Sequence, residues 1–184
     1  PNPNPNPNPS PNLNPDLHPN FQTPTRYAAA ASGPKDVVLV IGSMAGGIMT
    51  MAKHAAKMVI DTLTAVDYVT IVKYHFAKSA GAEVAYSSSA LVEATDANKD
   101  LLKAWIDENI GASGTTNFRA AFEKAWQVVD ATTASSNCNR IMLFLSDGEP
   151  NEWDGSDTEG VKAKAASYDP PMHLLTYGLG EGAK

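Results

Sequence analysis

Two short, unbroken apolar runs constrain this chain more than any other feature: VVLVI at 37–41 and the core of RIMLFLSDG at 140–148. A strand with no polar position has no solvent face, so it belongs inside a parallel sheet that is covered on both sides. The intervening chain supplies the cover. MTMAKHAAKMVIDTL (49–63) repeats Met51, Ala55, Met58, Val59 and Leu63 at helical spacing. DANKDLLKAWIDE (96–108) does the same with Leu101, Leu102, Trp105 and Ile106. FRAAFEKAWQVVD (118–130) follows a Thr116/Asn117 cap and turns Phe118, Ala121, Phe122, Ala125 and Trp126 inward. YVTIVKYHF (68–76) and MHLLTYGLG (172–180) read as further strands, AEVAY (82–86) as a short edge strand, and VKAKAASY (161–168) as a weak helix. Strands separated by helices imply right-handed crossovers and a doubly wound, mainly parallel α/β sheet with helices on both faces.

The first 20 residues obey different physics. PNPNPNPNPSPNLNPDLHPN holds eight prolines and seven asparagines and almost nothing apolar. Proline fixes φ and removes a donor, and the residue before it is pushed out of the helical region. An extended polyproline-II-like spacer over 1–23 is expected, then a connecting segment over 24–35 and a globular domain over 36–184. Charge follows the same division. Residues 1–35 hold Asp16, Arg26 and Lys35, a net of +1, so the remainder carries −7 of the total −6. The 43% apolar content is ample for a core, and the acidic balance argues against nucleic acid or an anionic membrane surface as partner. No apolar run approaches the roughly 18–20 residues that span a bilayer. The one cysteine, Cys138, has no internal disulfide partner, and no acceptor for N-glycosylation occurs.

In a doubly wound sheet, ligands gather beyond the carboxyl ends of the strands. Three corners are expected there: Gly42-Ser43-Met44-Ala45-Gly46-Gly47, Ser113-Gly114-Thr115-Thr116-Asn117 and Ser146-Asp147-Gly148-Glu149-Pro150. They offer hydroxyls and a carboxylate. Such hard oxygen donors suit Mg²⁺, Ca²⁺ or Mn²⁺ rather than zinc.

With these corners in view, four stretches carry a resemblance: PTRYAAAASGPKDVVLVI (24–41), GSMAGGIMTMAKHAAKMVIDTL (42–63), LVEATDANKDLLKAWIDENIGASGTTNF (91–118) and RIMLFLSDGEPNEW (140–153). Together they resemble a von Willebrand factor type A domain, most similar to the calcium-channel α2δ-like and Cache-associated branch. The resemblance implies a metal-ion-dependent adhesion site built from a DxSxS loop, a threonine and a DG aspartate, its shell commonly completed by an acidic group of a protein partner. Carried over position by position, the ligands fall on Ser43, Thr116 and Asp147. The first Asp and first Ser of the loop have no counterpart, because Ile41 runs directly into Gly42-Ser43-Met44. Affinity for a hard dication follows ligand charge and count, so Mg²⁺ or Ca²⁺ is expected to bind weakly or not at all. The family also adds at least one helix after the last strand here. C-terminal elements are therefore expected to be missing, and the chain to be part of a larger polypeptide or assembly.

Other chemistries fit less well. Gly42–Gly47 matches neither GxGxxG nor GxxxxGK[ST], which argues against a nucleotide site. A hydrolase assembled from Ser43, His54, His75 or His173, and Asp147 lacks a GxSxG elbow. Asp154, Asp157 and Glu159 read as a solvated acidic loop, Trp105 and Trp126 as core, Trp153 as a candidate partner contact and Cys138 as a small packed thiol or one bonded to a segment outside this chain. The chain is expected to be no enzyme. It reads as an extracellular or cell-surface protein-interaction module, for adhesion or channel-complex assembly, with a degenerate metal site. The alternative is a metal-independent structural unit of a surface filament.

Overall fold

The computed structural model describes residues 33–44, 46–74, 82–84, 90–111, 117–148 and 153–179. Strand β1 (Lys35–Gly42) is the spine. It runs parallel to β2 (Tyr68–Tyr74) on one side and to β5 (Asn139–Ser146) on the other. Strand β6 (His173–Gly178) adds in parallel outside β5. The far side of β2 is shared by two short antiparallel strands. One is β3 (Ala82–Val84), against Val72–Tyr74; the other is β4 (Val92–Glu93), against Tyr68–Val69. The resulting order is β3-β2-β1-β5-β6, with β4 beside β2.

Seven of the eight residues of β1 are buried, the physical reason its sequence has no polar alternation. Its side chains nevertheless divide between two cores. Val37, Leu39 and Ile41 join Val69 and Ile71 under helices α1 (Gly46–Thr62) and α2 (Asp96–Asn109), through Ala52, Ala56, Ile60, Leu102 and Ile106. Val38 and Val40 join Val72, Met142 and Phe144 on the opposite face. That face lies under α3 (Phe118–Ala131) and α4 (Gly155–Ala166), through Ala121, Phe122, Ala125 and Ala165. This is the expected doubly wound arrangement, with helices on both faces.

Caps fix where the helices start. Thr95 accepts from the amide of Asn98 at 3.3 Å, and Asn117 accepts from that of Ala120 at 3.0 Å. Helix α4 corrects the sequence reading: it begins at Gly155, six residues earlier than the expected 161. The acidic loop is its N-terminus. Asp154 accepts from the amides of Ser156 and Asp157, while the Asp157 carboxylate accepts from the amide of Asp154, a capping box. Asp157 also takes a forked pair of bonds from Arg119 of α3, at 2.8 and 2.9 Å. The helix was hidden because it buries little apolar surface; only Ala165 is fully covered. Removing the cap with Asp154→Ala is expected to lower the urea midpoint with unchanged slope.

Further expectations change. On α1 the buried face is Met49, Ala52, Ala56 and Ile60, while Met51 and Met58 are exposed, as is Leu101 on α2. Trp153 is packed as well as partly exposed: its ring is 5.8 Å from Phe118 and 5.6 Å from Phe122, and its indole N–H donates to Thr158 Oγ1 at 2.9 Å. Cys138 is exposed rather than packed. The two-residue β4 was not anticipated, being too short to show a period.

Candidate functional site

Because β1, β2 and β5 are parallel and in register, Gly42, Tyr74 and Ser146 finish along one rim. The chain order reverses here, since β2 lies on one side of β1 and β5 on the other. This is the switch point at which open α/β sheets leave a crevice.

Tyr74 organises the rim. It is 1% exposed, and its hydroxyl donates to the Leu145 carbonyl at 3.3 Å, crossing over β1 to do so. Gly42 makes that crossing possible. A Cβ at this position would lie 2.7 Å from the tyrosine Cζ and Oη, a contact no side chain tolerates. Burial pushes the phenol well above its usual pKa; a hydrogen bond with Ser146 opposes this and the nearby negative charge of Asp147 adds to it. The group is therefore a neutral strut across three strand ends, not an available anionic ligand. Sequence reasoning passed over it as one aromatic in a strand. Its signal is the pairing of a strand-terminal aromatic with a glycine directly opposite, visible only once Gly42 is known to face Tyr74.

Two of the three sequence-derived site residues border this strut. Ser43 is half-buried, and its amide donates to the Tyr74 carbonyl at 3.0 Å. Asp147 follows Ser146 in a tight turn, where the serine Oγ donates to the Gly148 carbonyl at 3.2 Å. Thr116 lies outside the described residues. The helix it precedes starts at this rim, because the ring of Phe118 stands edge-on to Tyr74 at 5.8 Å.

As donors for a divalent cation, Ser43 and Asp147 amount to one hydroxyl and one carboxylate. Among the described residues no group of three or more His, Cys, Asp or Glu is placed to hold a metal. The described donors alone do not fit the shell of six or more oxygens that Ca²⁺ takes. Two of the histidines in the hydrolase alternative lie away from the rim. His54 is exposed midway along α1, and His173 pairs with Ile141 near the opposite end of the sheet. His75 lies outside the described residues. No described helix is long and apolar enough to cross a membrane.

No family model matches the chain. The human voltage-dependent calcium channel subunit alpha-2/delta-2 is 30% identical over 160 residues, which cover 84% of this chain and 13% of that protein. The chain thus spans about an eighth of the relative's length. Among solved structures, a von Willebrand factor type A protein from Catenulispora acidiphila superposes with a TM-score of 0.66 at 21% identity, covering 82% of this chain and 34% of the other. The manganese-loaded Plasmodium vivax TRAP protein superposes with a TM-score of 0.52 at 15% identity, covering 82% and 59%. At such identities these structures speak for the fold, while the calcium-channel relative speaks for the branch. The described part of this chain is a von Willebrand factor type A domain of the alpha-2/delta type.

Proposed function

We infer that this domain is a non-enzymatic protein-interaction module working outside the cell or at its surface. Its contact face is the rim where β1, β2 and β5 end. The observation that carries this reading is the convergence of Ser43 and Asp147 on the Tyr74 strut at the switch point of the sheet. Its likeness to a channel subunit favours a protein partner in a membrane-associated assembly, with an acidic group of that partner meeting the rim.

The metal site at this rim is degenerate. Ser43, Thr116 and Asp147 would be the residues to hold Mg²⁺ or Ca²⁺, which would bridge to a partner carboxylate. A single carboxylate in that set gives too little charge for tight binding, because each lost anionic ligand weakens the hold on a hard dication. Calorimetric titration with Mg²⁺, Ca²⁺ and Mn²⁺ tests this. No submillimolar binding is expected, and Asp147→Ala should leave the titration unchanged. Submillimolar binding that disappears in Asp147→Ala would mean that the site is intact.

A further inference from the structure

Between α3 and α4 lies an open groove of about 330 Å³ whose lining includes Phe122, Trp126 and Trp153. The rings form a ladder. Trp153 and Phe122 stand 5.6 Å apart, Phe122 and Trp126 6.1 Å, and Trp126 and Tyr168 5.9 Å. Trp126, Trp153 and Tyr168 are each only half-buried, so each leaves ring surface to solvent. The groove is rimmed by both signs of charge, Arg119 and Lys164 with Glu123 and Asp157.

We propose that this aromatic groove binds a proline-rich extended segment, and that its occupant is the chain's own Pro–Asn repeat at residues 1–15. Three observations carry it. The first is chemical: rows of partly exposed rings are how proteins receive polyproline-II segments, whose pyrrolidines stack on the rings and whose backbone is free to bond outward. The second is charge. A rim carrying both signs in equal number gives no net attraction to a strongly acidic or basic peptide, while residues 1–15 hold no charged side chain and bring asparagine amides that both donate and accept.

The third is position. The described chain enters at Gly33-Pro34, where the Pro34 carbonyl accepts from the amide of Asn139 at 3.3 Å. The next residue, Arg140, places its guanidinium 5.6 Å from the centre of the Tyr168 ring, at the foot of the ladder. The described chain therefore begins at the end of the sheet on which Tyr168 lies. Residues 16–32 can extend over roughly 55 Å, while the ladder is only three steps of about 6 Å, so the repeat is long enough to span the three half-buried rings. Tethering of this kind supplies an effective concentration on the order of millimolar, enough to populate a contact that is weak between separate molecules.

The test uses the full chain. A nitroxide on Asn8→Cys, with the exposed Cys138 replaced by serine, reports proximity through the indole N–H signals of the three tryptophans. Loss of the Trp126 and Trp153 signals, with Trp105 retained, is the expected result; Trp105 packs in the core on the opposite face of the sheet. Excess synthetic (Pro-Asn)6 peptide should restore both lost signals. Trp126→Leu should restore that of Trp153, with the Trp105 signal reporting that the fold persists. Equal effects on all three tryptophans, or none, would overturn the proposal. So would losses transferred to an unlabelled-nitroxide chain in a mixed sample, because the occupant would then be a second copy.

Discussion

Phe144→Ala is expected to destabilise the domain by about 3–5 kcal/mol, a large share of the 5–15 kcal/mol typical of a folded domain. Phe144 is 3% exposed in β5 and is the hub of an aromatic cluster. Its ring lies 4.7 Å from Phe118, 4.8 Å from Phe122 and 5.1 Å from Tyr74. Truncation removes buried ring surface and leaves a cavity that three rigid neighbours cannot collapse into, and both terms add to the cost. Because Tyr74 is one of those neighbours, the strand-end rim should loosen with the core. Urea denaturation checks this as a large fall in midpoint at constant slope. Tyr177, half-exposed on β6, is the comparison, and its truncation should cost about 0.5 kcal/mol or less. A loss below about 1 kcal/mol for Phe144→Ala would mean that the ring cluster is not packed as described.

Asp67→Ala should rank second, at about 3 kcal/mol, and should also change how stability depends on pH. Asp67 is 1% exposed in the turn between α1 and β2. Its carboxylate accepts from the Thr64 amide at 2.7 Å, the Thr64 hydroxyl at 3.0 Å and the Lys35 amide at 2.9 Å, with the Lys35 ammonium at 3.4 Å. One side chain thus ties the start of β1 to the turn before β2. Alanine would leave the two amides without their acceptor. Burial alone would raise the pKa of this group. The hydrogen bonds from Thr64 and Lys35, with the charge of Lys35, outweigh burial and hold it below the ordinary value of 3.8. A depressed folded-state pKa stabilises the protein above the unfolded value, and that stabilisation is lost as pH falls through the folded one. The parent domain should therefore weaken on acidification below about pH 4, and Asp67→Ala should show a shallower fall over that range. Asp130, held low by Tyr168 and Lys164, keeps the variant's profile from being flat. An unchanged acid limb would show that Asp67 is not bonded as an anion.

The sheet was legible because its strands advertise burial. VVLVI and the core of RIMLFLSDG are apolar at every position, and only a strand covered on both faces uses such a run. Helix α3 was equally plain, its inward face repeating Phe118, Ala121, Phe122 and Ala125 behind an Asn117 cap. The start of α4 was not legible, because its first turns are held by Asp154, Asp157 and Arg119 rather than by an apolar stripe. The packing of Trp153 was hidden for a related reason: its neighbours in sequence are polar, while its neighbours in space are Phe118 and Phe122.

By itself, then, the order of amino acids determined the element types, the class of the fold and the candidate oxygen donors Ser43 and Asp147. Those follow from local period and side-chain chemistry, which are properties of short windows. Tertiary structure alone decided that β1 pairs Ile41 with Leu145 across 104 positions and that Gly42 yields its side-chain space to Tyr74. It also decided that rings from α3, the loop before α4 and the turn after it align into one ladder. Such placements depend on which distant surfaces exclude water together. No window of sequence contains both partners of the contact, so the energy that selects it exists only in the folded chain.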